Sequence, residues 1–343
     1  MRIGIFGSQH DTQTQAVASV LKKKGADVVL VDAQGLNRGE PVTFDGERYT
    51  WKGQRLDDVH GWYLRHIADP YAPAFEADGQ YHLYRDWLVD YMQRRERSAF
   101  QLSWLLTLTM QGIPVVNPPE HGSVAQLKAL QLAAARKVGL AIPRTLITND
   151  PHAVRQFAKS VGEVVYKPSM GGGLCKPLTD EDLARLELIT AAPVTFQERV
   201  RGTAVRVTAI GQNLVSCVRI PSEYLDYRAD PEYSGGKQVY DLATLPMDIP
   251  DKCRALMREC GLLFSGMDFI QRDDGSVVFL EANSSPIYLD VERKTGVPIT
   301  DELAGYILKL ANRPADYQRA VQEAGLVKSF CSYAYPFAPT EFT

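Results

Sequence analysis

The sequence predicts a mixed α/β (α+β) fold with more than one domain, and three observations support this prediction. The chain has 343 residues, more than a single domain usually contains. Hydrophobic residues make up 45% of the chain, enough to build large cores. The first residues alternate strand, helix and strand: an apolar run over Arg2–Phe6, a helical stretch closed by Gly25, and a second apolar run over 26–32.

The rest of the first domain follows from local patterns. Residues 40–60 alternate around two glycine-containing turns, which predicts small hairpins. Apolar residues at helical spacing predict a long helix over 81–111. The run 113–119 is typical of a last strand, and its double proline predicts a stiff boundary. We therefore place the first domain at 1–117.

Beyond this boundary, apolar spacing predicts a helix over 123–139 that ends at Gly139. The last residues, 313–343, form a tail. The tail combines a helical piece with an aromatic end that contains prolines. A contact in a homodimer is one interpretation of this tail.

Composition excludes several classes of function. The net charge is -3, from 38 basic and 41 acidic residues, which gives no electrostatic case for nucleic acid or an anionic membrane as partner. Five scattered cysteines form no CxxC pair, which favours reduced thiols in a cytoplasm over a disulfide framework. The N-terminus enters a strand without a signal-type apolar segment, and no apolar stretch is long enough to span a bilayer. We therefore expect a cytoplasmic protein.

Residues 264–283 predict a hairpin that gathers oxygen ligands. Asp-Gly at 274–275 is typical of a two-residue turn, and this register puts Asp268 directly opposite Glu281. Asn283 lies two residues after Glu281 and therefore shares its face of the strand. Oxygen donors without His or Cys suit Mg²⁺ rather than zinc. The residues leave open a simpler alternative, a hydrogen-bonded Asp/Glu pair at the edge of a hairpin.

A second candidate site lies at 163–177, where a strand ends at Lys167 and a loop with three glycines follows. Gly171, Gly172 and Gly173 would let backbone N–H groups approach phosphate oxygens, with Lys167 as a point charge beside them. The GxxxxGK[ST] pattern is absent. An ordinary flexible loop is the alternative.

Three arginines stand in alternating, strand-like contexts: Arg206, Arg219 and Arg228. Arginines among Val and Ile are seldom buried without an anionic partner. Local salt bridges would explain each one singly, whereas three of them upstream of the predicted hairpin suggest a polyanionic ligand. The run 196–200 predicts a linking strand whose backbone groups are able to meet an adenine edge.

Taken in order, these residues resemble the RimK-like branch of the ATP-grasp ligases over about residues 117–310. The motifs are a helix lysine, the YKP-glycine loop, a Gln-Glu hinge, the VRV arginine and an ExN pair before Ser-Ser-Pro, which here are Lys128, Lys167, Gln197-Glu198, Arg206 and Glu281/Asn283. Further phrases are similar to the microviridin-type peptide maturases, the graspetide ligases: NPPEHGSVAQLKALQL, TLITNDP, LDYR and TGVPITDELAGYIL.

The resemblance implies a fold and a site. The fold would be a Rossmann-like pre-ATP-grasp domain at 1–117, a central ATP-grasp subdomain at 118–195, and a C-terminal subdomain with the metal site at 196–312. ATP phosphates would be bound by Lys128, Lys167 and the glycine loop, and adenine by the backbone of Glu198, Arg199 and Val200. The ligands of Mg²⁺, as two ions with Mn²⁺ as an alternative, would be Asp268, Glu281 and Asn283. The γ-phosphate and an acyl phosphate would be faced by Arg206, Arg219 and Arg228.

The resemblance also implies the reaction, in which ATP activates a carboxylate as an acyl phosphate that an amine or hydroxyl then displaces. The substrate would be a peptide or protein side chain. A ligase that joins an amino acid to a small carboxylate, and an ATP-binding protein without catalysis, are the alternatives. The loop at 234–237 would cover the site. Ala204 stands where the family often has an acidic ribose contact.

Overall fold

The computed structural model describes residues 1–33, 35, 39–65, 83–170 and 173–322. Helices and strands are mixed throughout, so the predicted α/β class is confirmed. Two compact units are present: the first unit comprises Met1–Glu120 and Thr300–Gln322, and the second unit contains His121–Ile299. Part of the predicted tail therefore packs into the first unit, whereas residues 323–343 lie outside the described residues. None of the described helices has the length and apolar character that crossing a bilayer requires.

The elements follow one another in chain order. Up to the predicted boundary they are β1 (Arg2–Phe6), α1 (Thr12–Lys23), β2 (Asp27–Val31), β3 (Val42–Phe44), β4 (Tyr49–Trp51), β5 (Gln54–Arg55), β6 (Trp62–Leu64), α2 (Leu83–Met110) and β7 (Val115–Val116). Those that follow are α3 (Pro119–Gly122), α4 (Lys128–Lys137), β8 (Thr145–Thr148), α5 (Pro151–Val161), β9 (Val164–Lys167), β10 (Lys176–Pro177), α6 (Asp180–Ala184), β11 (Val194–Glu198), β12 (Thr203–Ile210), β13 (Asn213–Ile220), α7 (Pro231–Ser234), β14 (Asp241–Leu242), α8 (Ile249–Cys260), β15 (Phe264–Gln271), β16 (Val277–Asn283), α9 (Leu289–Thr295), α10 (Ile299–Asn312) and α11 (Pro314–Gln322).

The first unit is built on a parallel sheet in the order β2-β1-β6-β7. Its core centres on Trp104 of α2, whose ring meets Phe6 edge-on at 5.4 Å and Trp62 at 4.9 Å between centroids. A Cβ at Gly4 would lie 2.3 Å from the Trp62 ring, so this glycine serves the packing of β1 against β6. The small hairpins are confirmed as the sheet β3-β4-β5.

The second unit contains two antiparallel sheets, ordered β10-β9-β11-β8 and β14-β13-β12-β15-β16. One face of the five-stranded sheet packs against α4 and α8 around Val205, Val207 and Phe269. The residues between these strand positions, such as Arg206 and Asp268, therefore point to the opposite face. That opposite face carries the candidate site.

The predicted helix over 123–139 is wrong at its start. A 3₁₀ turn spans Ser123–Gln126, and the α-helix begins only at Lys128. Gln131 holds this break, because its amide donates to the carbonyl of Val124 at 2.7 Å and accepts from the backbone of Ala282 at 2.8 Å. A cation in the first turn of a helix opposes the helix dipole. The position of Lys128 therefore needs a compensating anion.

A buried histidine makes stability depend on pH. His121 is 4% exposed, and its Nδ1 atom has no hydrogen-bond partner among the described residues. Burial lowers the pKa of His121 below its ordinary value of 6.5. As pH falls through that value, the unfolded chain takes up a proton that the folded chain does not bind, so stability is lost on the acid side.

We expect His121→Phe to remove this part of the acid destabilisation. The free energy of unfolding, measured in urea from about pH 5.5 to 7.5, should fall less steeply with acid in the variant than in the wild type. A change at exposed His10, such as His10→Gln, serves as the control and should keep the wild-type slope. Equal slopes for wild type and His121→Phe would show that His121 does not control this dependence.

Candidate active site

A cavity of about 420 Å³ lies in the second unit, on the face of the sheet that points away from α4 and α8. Strand ends from both sheets line it, and they contribute Lys167, Gln197, Arg206, Asp268, Glu281 and Asn283. Most of the residues selected from the sequence therefore meet at one place.

The β15–β16 hairpin pairs Asp268 with Glu281 as predicted, but its turn differs from the predicted one. The turn has three residues rather than two, because the N–H of Arg272 donates to the carbonyl of Ser276 at 2.8 Å. This loop alone would shift the pairing by one residue and move one carboxylate to the other face. A bulge at Leu280 restores the register, so Asp268 does pair with Glu281.

The bulge is also visible in the core. Phe279 and Ala282 both belong to the apolar cluster against α4 and α8, although they are three residues apart. A regular strand would send them to opposite faces. The irregularity at Leu280 therefore lets β16 bury these two side chains while it presents Glu281 and Asn283 to the cavity.

Asp268, Glu281 and Asn283 form a connected polar cluster. The Nδ2 atom of Asn283 lies 3.2 Å from Oδ2 of Asp268 and 3.3 Å from Oε1 of Glu281. Arg206 binds Asp268 in a two-point contact, with Nε to Oδ1 at 2.7 Å and Nη2 to Oδ2 at 2.8 Å. Burial on its own would lower the pKa of Arg206, but the Asp268 carboxylate raises it above its ordinary value.

Two lysines converge on one oxygen of Glu281. Nζ of Lys128 lies 2.7 Å from Oε2, and Nζ of Lys167 lies 3.3 Å from the same atom. Lys128 is 5% exposed and Lys167 is 14% exposed, so both charges need this carboxylate. Burial opposes ionisation of Glu281, but Lys167 and Lys128 outweigh it and hold the pKa of Glu281 far below its usual range.

The donor set fits a divalent cation that is shared with a phosphate ligand. No group of three His, Cys, Asp or Glu side chains able to hold a metal occurs among the described residues. The site instead offers two carboxylates and an amide, and Mg²⁺ is commonly bound by one or two carboxylates together with substrate phosphates. The amide of Asn283 occupies the space between the carboxylates, and its oxygen is a suitable ligand when the amide rotates.

Asp226 also lines the cavity, although it is not among the residues predicted from the sequence. Its Oδ2 atom accepts a hydrogen bond from the backbone N–H of Cys175, in the glycine-loop segment, at 3.1 Å. The same side chain accepts from Nε of Arg228 at 2.8 Å and from Nη2 at 2.6 Å. Burial raises and these bonds lower the pKa of Asp226, and the net shift is downward. The spacing of Asp and Arg in LDYR was the available signal.

Arg228 does not lie on a strand as predicted. It belongs to a 3₁₀ turn over Tyr227–Ala229 that Asp226 caps through the N–H of Arg228. Its side chain is 41% exposed and lines the cavity. The strand-like pattern failed here because a capping aspartate, rather than alternation, sets the local backbone.

The structure does not bring Arg219 to this group. Arg219 pairs with Val205 across β12 and β13, so it shares the face of that core residue and not the face of Arg206. Its side chain is exposed, and Nε donates to Gln271 at 3.0 Å. Arg206 and Arg228 line the cavity, and the expectation that Arg219 joins them is wrong.

The remaining predicted contacts lie along the cavity or outside the described residues. Glu198, Arg199 and Val200 line the cavity. The N–H groups of Glu198 and Arg199 already donate to backbone carbonyls at 2.9 Å each.

Ala204 lies between Ile220 and Ile270 on the neighbouring strands, so this part of the cavity floor is apolar. Gly171 and Gly172 lie outside the described residues, and a Cβ at Gly173 would come within 2.8 Å of Pro168.

Comparison with known proteins places this chain among the ATP-grasp ligases. Residues 124–307 match the family described as the RimK-like ATP-grasp domain, and this match spans more than half of the chain. The protein therefore belongs to the RimK-like ATP-grasp family, and the resemblance drawn from its motifs is confirmed.

Solved structures support the same assignment. The ATP-grasp ligase PsnB in complex with a minimal precursor is 30% identical, with a TM-score of 0.76 over 90% of this chain and 98% of PsnB. PsnB has also been solved with a minimal precursor, Mg and ADP, at the same identity and TM-score. The macrocyclase MdnC of Microcystis aeruginosa MRC, bound to its precursor peptide MdnA, is 24% identical with a TM-score of 0.73 and shares the fold.

A relative found by sequence similarity is named as a glutamate ligase. The probable alpha-L-glutamate ligase 1 of Shewanella baltica strain OS155 is 25% identical over 205 residues. This alignment covers 55% of the present chain and 66% of the Shewanella protein, slightly less than two thirds of its length.

Proposed function

We propose that this protein is an ATP-dependent ligase that joins a side-chain carboxylate of a peptide to an amine or hydroxyl. The observation that carries the proposal is the convergence of Lys128 and Lys167 on Glu281, beside Asp268 and Asn283, in one cavity. A charge arrangement of this kind suits phosphoryl transfer, which asks a protein mainly for positioning and charge compensation.

The cluster residues would bind the nucleotide and its metal. Asp268, Glu281 and Asn283 would hold Mg²⁺, as two ions, and Mn²⁺ suits the same oxygen ligands. When bound, the metal supplies charge neutralisation on the phosphate oxygens. Lys167 lines the cavity and would exchange part of its contact with Glu281 for a phosphate oxygen. The hinge segment of Glu198, Arg199 and Val200 would meet adenine through its remaining backbone groups.

The two arginines would act at the reacting phosphoryl group in different ways. Arg206 is largely buried and is fixed by its two-point contact with Asp268. Arg228 is the more exposed of the pair and is oriented by Asp226. We assign Arg228 to the charge that develops on the acyl phosphate, because donors aimed in advance at such charge need no rearrangement during the reaction.

The proposed chemistry has two steps. An oxygen of the substrate carboxylate bonds to the γ-phosphorus of ATP, the bond from that phosphorus to the β-γ bridging oxygen breaks, and ADP leaves. An amine or hydroxyl then attacks the acyl carbon and loses its proton, and inorganic phosphate leaves with the electrons of the acyl C–O bond. The products are an amide or ester, ADP and phosphate.

The similarity to PsnB, which was solved in complex with a minimal precursor, supports a peptide as substrate. The Shewanella relative, named as an alpha-L-glutamate ligase, favours a second candidate, the joining of an amino acid to another carboxylate. A non-catalytic ATP-binding protein has no need to keep the lysines, the arginines and the Asp/Glu/Asn set together.

Substrate-dependent release of ADP separates these candidates. One panel contains peptides that carry Asp or Glu together with Lys, Ser or Thr, and the other contains glutamate and other amino acids with small carboxylic acids. We expect ADP and a peptide product lighter by one water with the peptide panel. Turnover with the amino-acid panel alone would reject the peptide assignment. Bound ATP without ADP in either panel, while a known ligase turns over, would indicate a binding protein.

A further inference from the structure

Lys294 of α9 holds the backbone of a loop that precedes β14. Its Nζ atom donates to the carbonyl of Gly236 at 2.9 Å and to the carbonyl of Gln238 at 2.6 Å. The same ammonium lies 2.9 Å from Oδ2 of Asp290 and 5.4 Å from the centre of the Tyr240 ring. One side chain therefore contacts the loop at three of its residues.

The side chain of Gln238 also fixes this loop. Its side chain is 2% exposed, and Nε2 donates to the carbonyl of Pro221 at 2.8 Å and to that of Val239 at 3.1 Å. Pro221 directly follows β13. Residues 236–240 are thus held between the end of β13 and helix α9.

The residues just before this loop reach the cavity. Tyr233 of α7 lines the cavity and meets Tyr227 edge-on, with 5.3 Å between ring centres. The guanidinium carbon of Arg206 lies 5.8 Å from the centre of the Tyr227 ring. Helix α7 has four residues, too few to be stable on its own, so its position depends on its attachments.

We propose that Lys294 is a positioning residue that anchors residues 236–240 and thereby sets Tyr233 and Tyr227 against Arg206. The role rests on the proposed function, because it matters only if the cavity binds nucleotide. An exposed Lys–Asp pair four residues apart on a helix contributes little by itself. The two backbone carbonyls and the Tyr240 ring make Lys294 different from such a pair.

The chain supplies a matched control for this role. Lys252 and Asp248 form the same four-residue pair at 2.7 Å in the α8 region, and Nζ of Lys252 donates to no loop carbonyl among the described residues. Three variants are compared with the wild type: Lys294→Met, Lys294→Arg and Lys252→Met. Arginine retains the charge and several donors, so it should restore most of the anchoring. Melting temperatures confirm that each variant is folded.

Limited trypsin digestion measures the anchoring directly, because Lys237 is exposed within the loop. We expect cleavage after Lys237 to be at least about tenfold faster in Lys294→Met, because this variant loses both hydrogen bonds that the ammonium donates to loop carbonyls. Lys294→Arg should lie near the wild type, and Lys252→Met should match it. Equal cleavage in all four proteins, or the same increase in Lys252→Met, would overturn the proposal.

Binding of Mg-ADP, measured by calorimetry, tests the link to the cavity. We expect about tenfold weaker binding in Lys294→Met and recovery in Lys294→Arg. Faster cleavage with unchanged ADP affinity would show a loop that is held without serving the site, and would also overturn the proposal. Neither readout needs the peptide substrate, so a failure of the proposed function would appear in the ADP-release panels instead.

Discussion

Replacing Glu281 by glutamine is expected to abolish turnover while the chain stays folded. The change removes the carboxylate that Lys128 and Lys167 share, and with it a ligand of the proposed metal. We expect kcat to fall by at least about 100-fold, as with the loss of other groups that act on transition-state charge. Glutamine retains an oxygen for the lysines, whereas Glu281→Ala would leave buried charges unpaired at a cost of about 3–5 kcal/mol.

Glu259→Gln is the matched control for this variant. Glu259 is also a largely buried carboxylate paired with a lysine, Lys137, but it lies on α8 outside the cavity. It should keep wild-type turnover in the ADP-release assay. Full activity of Glu281→Gln at low Mg²⁺ would refute the assignment of Glu281 to the metal.

Replacing Lys167 by methionine is expected to weaken nucleotide binding. Lys167 lines the cavity and lies at the end of β9, next to the glycine loop. A hydrogen bond between charged groups is worth about 1.5–3 kcal/mol, so the Kd for Mg-ATP should rise roughly 10- to 100-fold. Calorimetry with a non-hydrolysable ATP analogue measures this change without turnover.

Lys176→Met provides the comparison, because Lys176 is exposed on β10 and pairs through its backbone with the neighbouring strand β9. Its affinity for the analogue should equal that of the wild type. An unchanged Kd in Lys167→Met would count against a phosphate role for Lys167 and would leave it as a structural partner of Glu281.

In the β15–β16 hairpin, the sequence predicted which side chains meet but not the turn and the bulge that bring them together. Alternation along β16 predicted that Glu281 and Asn283 share a face, and pairing across the hairpin predicted Asp268 opposite Glu281. The predicted two-residue turn was wrong, because Asp274 accepts a hydrogen bond from the backbone N–H of Ser276 and helps to close a three-residue loop. The bulge at Leu280 that compensates is a tertiary feature, since it depends on which side chains pack against α4 and α8.

The arginines and Lys128 show where pattern alone fails. Arg219 and Arg206 look alike in sequence, but the register of β12 with β13 sends them to opposite faces. Lys128 lies 153 residues from its partner Glu281, and no local signal connects them. Only the resemblance to a family selected Lys128. Helix α4 starts at Lys128 because the carboxylate of Glu281, distant in sequence, offsets the charge of this lysine.

We propose that Asp268, Glu281 and Asn283 hold a divalent cation against the phosphates of a nucleotide. Electron paramagnetic resonance of Mn²⁺, titrated into the protein with ADP present, measures this binding. We expect tightly bound Mn²⁺ in the wild type and in Glu259→Gln, and no tightly bound Mn²⁺ in Glu281→Gln. Equal Mn²⁺ binding in the wild type and Glu281→Gln would refute the proposed role of Glu281 as a metal ligand.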